Sequence, residues 1–184
     1  LAQALRMHEA HGLPWACDNA AFGAFDAARY RRMLAKLPGL PGCLWVAVPD
    51  VVGDAAATLA RWAEWRDEVR QASGQPLAFV SQDGCDRLPL PWDDVDALFV
   101  GGTDEWKLTP RSALVCAEAI GRGKMVHVGR CNSWRRYRAA RAMGARTVDG
   151  TDVCQWPDRY IPEHAAHCRV LDRQEADQPR LFGI

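Results

Sequence analysis

Residues Cys43 to Trp62 read CLWVAVPDVVGDAAATLARW. The opening apolar run is strand-length, and it does not alternate with polar residues, so it reads as a strand covered on both faces. It ends in Pro49 and Asp50. Asp54 then opens a segment rich in alanine and leucine, the signature of a helix with an aspartate N-cap. A doubly covered strand, an acidic ending and a helix make up the unit from which parallel sheets are built.

The same unit recurs along the chain. Apolar runs of strand length are WAC before Asp18, PLAFV from Pro76, ALFV from Ala97, KMVHV from Lys124 and RTV from Arg146. Helical patterns separate them: DAARYRRMLAKL from Asp26, DAAATLARWAEWRDEVRQA from Asp54, TPRSALVCAEAIGRG with Thr109 as N-cap and Pro110 at the first helical position, and SWRRYRAARAMG from Ser133. PWDDVDAL reads as a short helix or a turn. No linker, repeat or low-complexity tract divides the chain, so residues 1–184 are expected to form a single domain. The segment 157–184 is more polar and less regular, and it is expected to be a loop or short helix packed back on the body.

The strand endings carry the most information. The six of them hold Asp18, Asp50, Gln82, Gly101 with Gly102, Arg130, and Asp149, at intervals of 19 to 32 residues. A (β/α)8 barrel of roughly 250 residues spends about 31 per unit and delivers all its C-terminal strand ends to one face. The pattern therefore favours a TIM-type barrel with these groups around a single mouth. The barrel is complete if one strand precedes Leu1 and another lies in the tail, and trimmed otherwise. A doubly wound open sheet is the alternative, but no GxGxxG follows a strand and no GxxxxGK[ST] occurs.

Composition narrows the classes. Lys+Arg and Asp+Glu balance at 23 each, so no bulk charge advertises a polyanion, and nucleic acid would need a local patch. The strongest candidate patch is RCNSWRRYRAAR, where Asn132-Ser133 opens a helix at the expected mouth; Arg130, Ser133, Arg135 and Arg136 are its candidate phosphate contacts. Seven scattered cysteines without a CxxC pair read as reduced thiols of a cytoplasmic protein. Nothing in the sequence reads as a signal peptide, and no apolar stretch reaches membrane length, so no membrane span is expected. Cys154, His164, His167 and Cys168 match no standard zinc spacing, so neither a metal nor a cofactor is expected. His127 on its apolar strand reads as a core histidine. Trp62, Trp65 and Trp134 read as core, and Trp15, Trp92 and Trp106 near strand ends as candidates for stacking on a base.

Three aspartates around one cavity suit a carboxylate nucleophile working with a carboxylic acid–base, the pairing used in glycosyl transfer. Gln82 and the main chain at Gly101 and Gly102 suit a planar base bearing a carbonyl.

These motifs, in this order, resemble the tRNA-guanine transglycosylase superfamily and its DNA-modifying deazaguanine branch in phages and bacteria. The family's DSGGF resembles DNAAFG at Asp18, its base-reading aspartate resembles Asp50 in VAVPD, its VQGG resembles VSQDG at Gln82, and its IGGLAVGE resembles VGGTDEW at Gly101 and Gly102. Its nucleophile follows a glycine by five residues, as Asp149 follows Gly144. The resemblance runs from Trp15 to about Thr151. It implies a barrel in which Asp149 attacks C1′ of a nucleoside, Asp18 moves the proton of the base, and Asp50, Gln82, Gly101 and Gly102 read a guanine or 7-deazaguanine. The chain departs from the family in Asn19-Ala20-Ala21, where the family has Ser-Gly-Gly. It also lacks the zinc site and basic region of the tRNA enzymes. Both missing features point to DNA, or to a free nucleoside or nucleotide, in place of tRNA, in the host cytoplasm for a phage-encoded member. Two other expectations stand beside this one: a barrel lyase or isomerase using Arg130 for the phosphate of a small molecule, and an inactive barrel that binds nucleic acid.

Overall fold

The computed structural model describes residues 2–21, 23 and 25–177. Phe22 of the first motif, the side chain of Cys154 and residues 178–184 lie outside that description. After helix α1 (Ala2–His11), strands and helices alternate: β1 (Trp15–Cys17), α2 (Ala27–Leu34), β2 (Cys43–Ala47), α3 (Ala55–Ser73), β3 (Leu77–Ser81), β4 (Ala97–Val100), α4 (Asp104–Lys107), α5 (Pro110–Gly121), β5 (Met125–Val128), α6 (Trp134–Ala142), β6 (Thr147–Val148), α7 (Asp152–Gln155) and α8 (Pro157–Asp177). PWDDVDAL is a turn leading into β4.

The caps arise from the sequence. Asp26, Asp54, Thr109 and Ser133 each accept a hydrogen bond from the main-chain N–H three residues on, satisfying one orphan donor of a first turn. Gly74 ends α3 at φ +62°, a left-handed conformation that a side chain disfavours.

The strands form one all-parallel sheet in the order β1-β2-β3-β4-β5-β6. This corrects the eight-stranded barrel. The sheet curls as a barrel does, but β1 and β6 do not pair with each other or with a further strand among the described residues, and the result is a half-barrel. The strand expected in the tail is not there: that segment is the long helix α8, and the segment before β1 is helix α1. Tyr160, His164, His167 and Leu171 recur in α8 at three- and four-residue steps and are partly buried, which is helical periodicity.

Residues two apart on each strand face the same side, which gives the sheet two apolar faces. Val46, Leu77, Phe79, Leu98, Val100, Val126 and Val128 point to the helix layer and join Trp62, Val69, Val115 and Cys116 in the main core. Trp45, Ala47, Ala78, Val80 and Ala97 face the inside of the curl, with Phe99 and Met125 packed on them. The rings of Trp45, Phe99 and His127 close this inner face, with centroids 4.7 to 5.2 Å apart. Trp15, Trp92 and Trp106 are buried in the main core and present no face to a base.

If this aromatic cluster is the second wall of the inner core, Trp45→Ala opens a cavity there. It should cost about 3–5 kcal/mol in urea unfolding. A loss below about 1 kcal/mol would show that the inner face does not rely on it.

Candidate functional site

Every strand hands its next residues to the same end of the curl. Asp18 follows β1, Asp50 lies just past β2, Gln82 follows β3, Gly101 and Gly102 follow β4, Gly129 and Arg130 follow β5, and Asp149 follows β6. Together with Asn19, Val52, Val80, Phe99 and Lys107 they line one cavity of about 150 Å³. A cavity of about that volume accommodates a benzene-sized ring. The structure thus brings together the catalytic and base-reading residues expected from the sequence, plus Arg130. It does not bring in the other three phosphate candidates. Ser133, Arg135 and Arg136 line a separate groove with Asp104, Glu105 and Thr109.

Asp50 is buried and held from both sides. Its Oδ1 accepts from Asn19 Nδ2 at 2.9 Å and its Oδ2 from Gln82 Nε2 at 2.5 Å, while its main-chain carbonyl accepts from Arg61. Burial is the largest influence and raises the Asp50 pKa, against the Asn19 bond, which favours the charged form. Gln82 is oriented in turn, because its Oε1 accepts from Gly53 N–H at 2.9 Å. Its first task is therefore to clamp Asp50. Asn19 also donates to Val48 O and accepts from Ala21 N–H, which ties the β1 and β2 endings together.

The glycines are required by close approach. A Cβ on Gly101 would stand 2.8 Å from Gln82 Nε2, and one on Gly102, at φ +79°, 2.7 Å from Asp83 Oδ2. Asp83 holds this turn by accepting from the N–H and hydroxyl of Thr103. Arg130 has φ +58° and reaches back to donate to Gly102 O at 2.7 Å.

Asp18 and Asp149 sit in opposed environments. Asp18 is exposed at the mouth, yet the surrounding protein displaces enough water to raise its pKa; N–H groups of Asn19 and Ala20 oppose the rise and the Asp149 charge adds to it. At Asp149 desolvation also pushes upward, but hydrogen bonds from His127 and the Arg130 N–H, with the charges of His127 and Lys107, outweigh it and lower the pKa. His127 Nε2 lies 3.0 Å from Asp149 Oδ2, and Arg130 N–H donates to Oδ1 at 2.8 Å. An ionised carboxylate only accepts, so Nε2 carries the proton, while Nδ1 is held by Thr147 Oγ1 at 2.9 Å.

Two residues of the site escaped the sequence reading, one behind the cavity wall and one in it. His127 looked like core, and it is buried, but its outward nitrogen meets Asp149. Lys107 is the last residue of the four-residue α4, is 2% exposed, and donates to Gly129 O at 2.9 Å. Its place five to six residues after the Gly101-Gly102 turn was the available signal. In the groove, Arg136 is committed to Asp104 Oδ2 at 2.6 Å and to Arg130 O at 3.0 Å, Ser133 caps α6, and Arg135 is exposed.

No group of three or more His, Cys, Asp or Glu among the described residues is arranged to hold a metal ion. His164 of the tail meets Asp152 at 2.9 Å and stacks on Tyr137 instead. No helix among the described residues is long and apolar enough to cross a membrane.

Fold and site define an α/β protein with a parallel half-barrel and a carboxylate-lined pocket at its C-terminal strand ends. No protein-family model matches the chain, and no curated protein matches it.

Asn19→Ala removes the donor to Asp50 and Val48. It should lower stability by about 1–3 kcal/mol. It should also raise the Asp50 pKa further, since the lost bond favoured the carboxylate. A carboxyl titration followed by NMR reads the second effect, and an unchanged or lowered value would contradict the clamp.

Proposed function

We propose that this chain is a glycosyltransferase that exchanges or removes a guanine-type base, with a 7-deazaguanine as the exchanged partner and DNA as the favoured nucleic acid. The observation that carries the reading is the divergence of two carboxyl groups on one cavity: Asp149 lowered by hydrogen bonds from His127 and Arg130, Asp18 raised by desolvation at the mouth. Such divergence separates nucleophile from acid–base.

In the proposed reaction an Asp149 oxygen forms a bond to C1′ as the bond from C1′ to the base nitrogen breaks, and the protonated Asp18 supplies the proton to the leaving base. An incoming base then gives its proton to Asp18 and displaces Asp149. Asp50 accepts from the N1–H and exocyclic amine of a guanine edge, using lone pairs left over from Asn19 and Gln82. In a duplex the nucleotide is flipped out first, which favours unpaired or distorted sites.

A second reading has one observation in its favour. Lys107 and Arg130, two cations, line the same cavity, which suits a lyase or isomerase acting on a phosphorylated small molecule. Incubating the protein with labelled guanine or a 7-deazaguanine and, separately, DNA, tRNA or a free nucleoside tests the first reading. Incorporation into none of the three would remove it.

Asp149→Asn should abolish any denaturation-resistant adduct, and a wild-type yield of adduct would exclude Asp149 as nucleophile. The pH profile is bounded below by Asp149, which must be ionised, and above by Asp18, which must be protonated to release the base. Asp18→Asn should cost about a hundredfold or more in rate and erase the alkaline limb; an alkaline limb that persists would assign the acid elsewhere.

Arg135 is exposed beside the groove, so its loss should flatten the salt slope of duplex binding by about 0.9. An unchanged slope would take the groove off the path of the DNA.

A further inference from the structure

Lys107 is a buried cation whose burial the base-exchange chemistry does not require. Its Nζ has one hydrogen-bond acceptor, the neutral Gly129 carbonyl, and no carboxylate within ion-pairing distance among the described residues. Burying an ammonium without an acid partner is costly, which shifts the equilibrium toward the neutral amine. The Lys107 pKa accordingly falls to about 8, first through desolvation and then through the Arg130 charge. The residue type is informative as well. Of the 23 basic residues only Lys36, Lys107 and Lys124 are lysines, and Lys107 alone of the three lines the cavity. A guanidinium would supply positive charge there at any pH, but it does not become a nucleophile, whereas an amine does.

We propose that Lys107 is the amine of a carbonyl-binding site: its Nζ, in the cavity wall beside Gly129, condenses with the aldehyde or ketone of a small sugar to form an imine. The nitrogen lone pair bonds to the carbonyl carbon as the C=O π pair moves to oxygen. That oxygen takes up protons and leaves as water, with Asp18 across the cavity giving one proton to the departing hydroxyl and recovering one from nitrogen. Amine and carbonyl become imine and water, and no oxidant or reductant takes part. Asp50 and Arg130, on the same cavity, offer an acceptor and a donor to the sugar hydroxyls. The carbonyl has two sources with this chemistry. One is a free open-chain sugar; the other is the C1′ aldehyde of an abasic deoxyribose, the species left if water replaces the incoming base. The inference goes beyond base exchange and does not depend on it.

The experiment is reductive trapping of the whole chain with glycolaldehyde and sodium cyanoborohydride at pH 7, with peptide mass mapping of the product. Lys36 and Lys124 serve as internal references. Lys107 should be alkylated roughly tenfold faster than either, with a rate that rises through about pH 8. Labelling of Lys107 no faster than the references overturns the proposal. This wild-type comparison stands even if Lys107→Arg fails to fold; where that variant folds, it should lose only the fast-labelled peptide. A second arm replaces glycolaldehyde with an oligonucleotide carrying one abasic site. A trapped complex assigns the sugar to DNA, and glycolaldehyde labelling without it assigns a free sugar. Fast labelling of Lys107 with no base incorporation upholds the amine while removing the transglycosylase reading, so the two failures are distinguishable.

Discussion

The curl of the sheet is the constraint on which the site depends. Asp18 and Asp149 follow the first and last of six strands. In a flat sheet five strand spacings would separate them by roughly 24 Å. They line one cavity instead, and the charge of Asp149 raises the pKa of Asp18. The inner face permits this because it is narrow where strands must approach the axis, with Ala47, Ala78 and Ala97, and bulky where it must be closed, with Trp45, Phe99 and His127. A half-barrel with larger side chains throughout its inner face would be forced open, and the two carboxylates would part.

The cluster that closes the inner face also sets the chemistry of the mouth. His127 packs its ring against Trp45 and Phe99, and this packing fixes where Nε2 can point. Thr147, its neighbour in register on β6, engages the other nitrogen, so the ring orientation that presents Nε2 to Asp149 is held from behind. Packing, register and ionisation state are therefore coupled. On the opposite wall Asn19, Asp50 and Gln82 link the endings of β1, β2 and β3 by side-chain hydrogen bonds. One half of the mouth is stiffened by a polar network and the other by an aromatic one.

Much of this was legible in the sequence because it is local. Unalternating apolar runs gave the parallel strands, and Asp26, Asp54, Thr109 and Ser133 announced the helices that they cap. The strand-end residues Asp18, Asp50, Gln82, Gly101, Gly102, Arg130 and Asp149 were found by position alone, since parallel strands put their C-terminal ends on one face. Strand number was not legible, because it depends on what the segments flanking β1 and β6 form, and among the described residues those segments are α1 and α8. Histidines in α8 concealed its periodicity, acting as the stacking surfaces against Tyr137 and Trp134 that aliphatic residues usually provide. His127 and Lys107 escaped for a related reason. A histidine on an apolar strand and a lysine in an acidic four-residue helix have ordinary structural explanations, and only the curl brings their nitrogens to the pocket.

Charge placement separates the pocket from the groove beside it. In the groove Arg136 is neutralised by Asp104, so little net field remains there from that pair. In the pocket Arg130 and Lys107 face Asp18, Asp50 and Asp149, and the balance shifts with each proton. Arg130 remains charged, so it helps to depress the Lys107 pKa, and Lys107 when charged helps to depress that of Asp149. Deprotonating Lys107 thus withdraws part of what keeps Asp149 ionised, while a proton on Lys107 strengthens it. An anion entering the cavity would stabilise the charged amine, whereas a neutral carbonyl would leave it free to react. On the two proposed readings, the same lysine favours a carboxylate nucleophile in one charge state and acts as an amine nucleophile in the other, with the ligand's charge selecting between them.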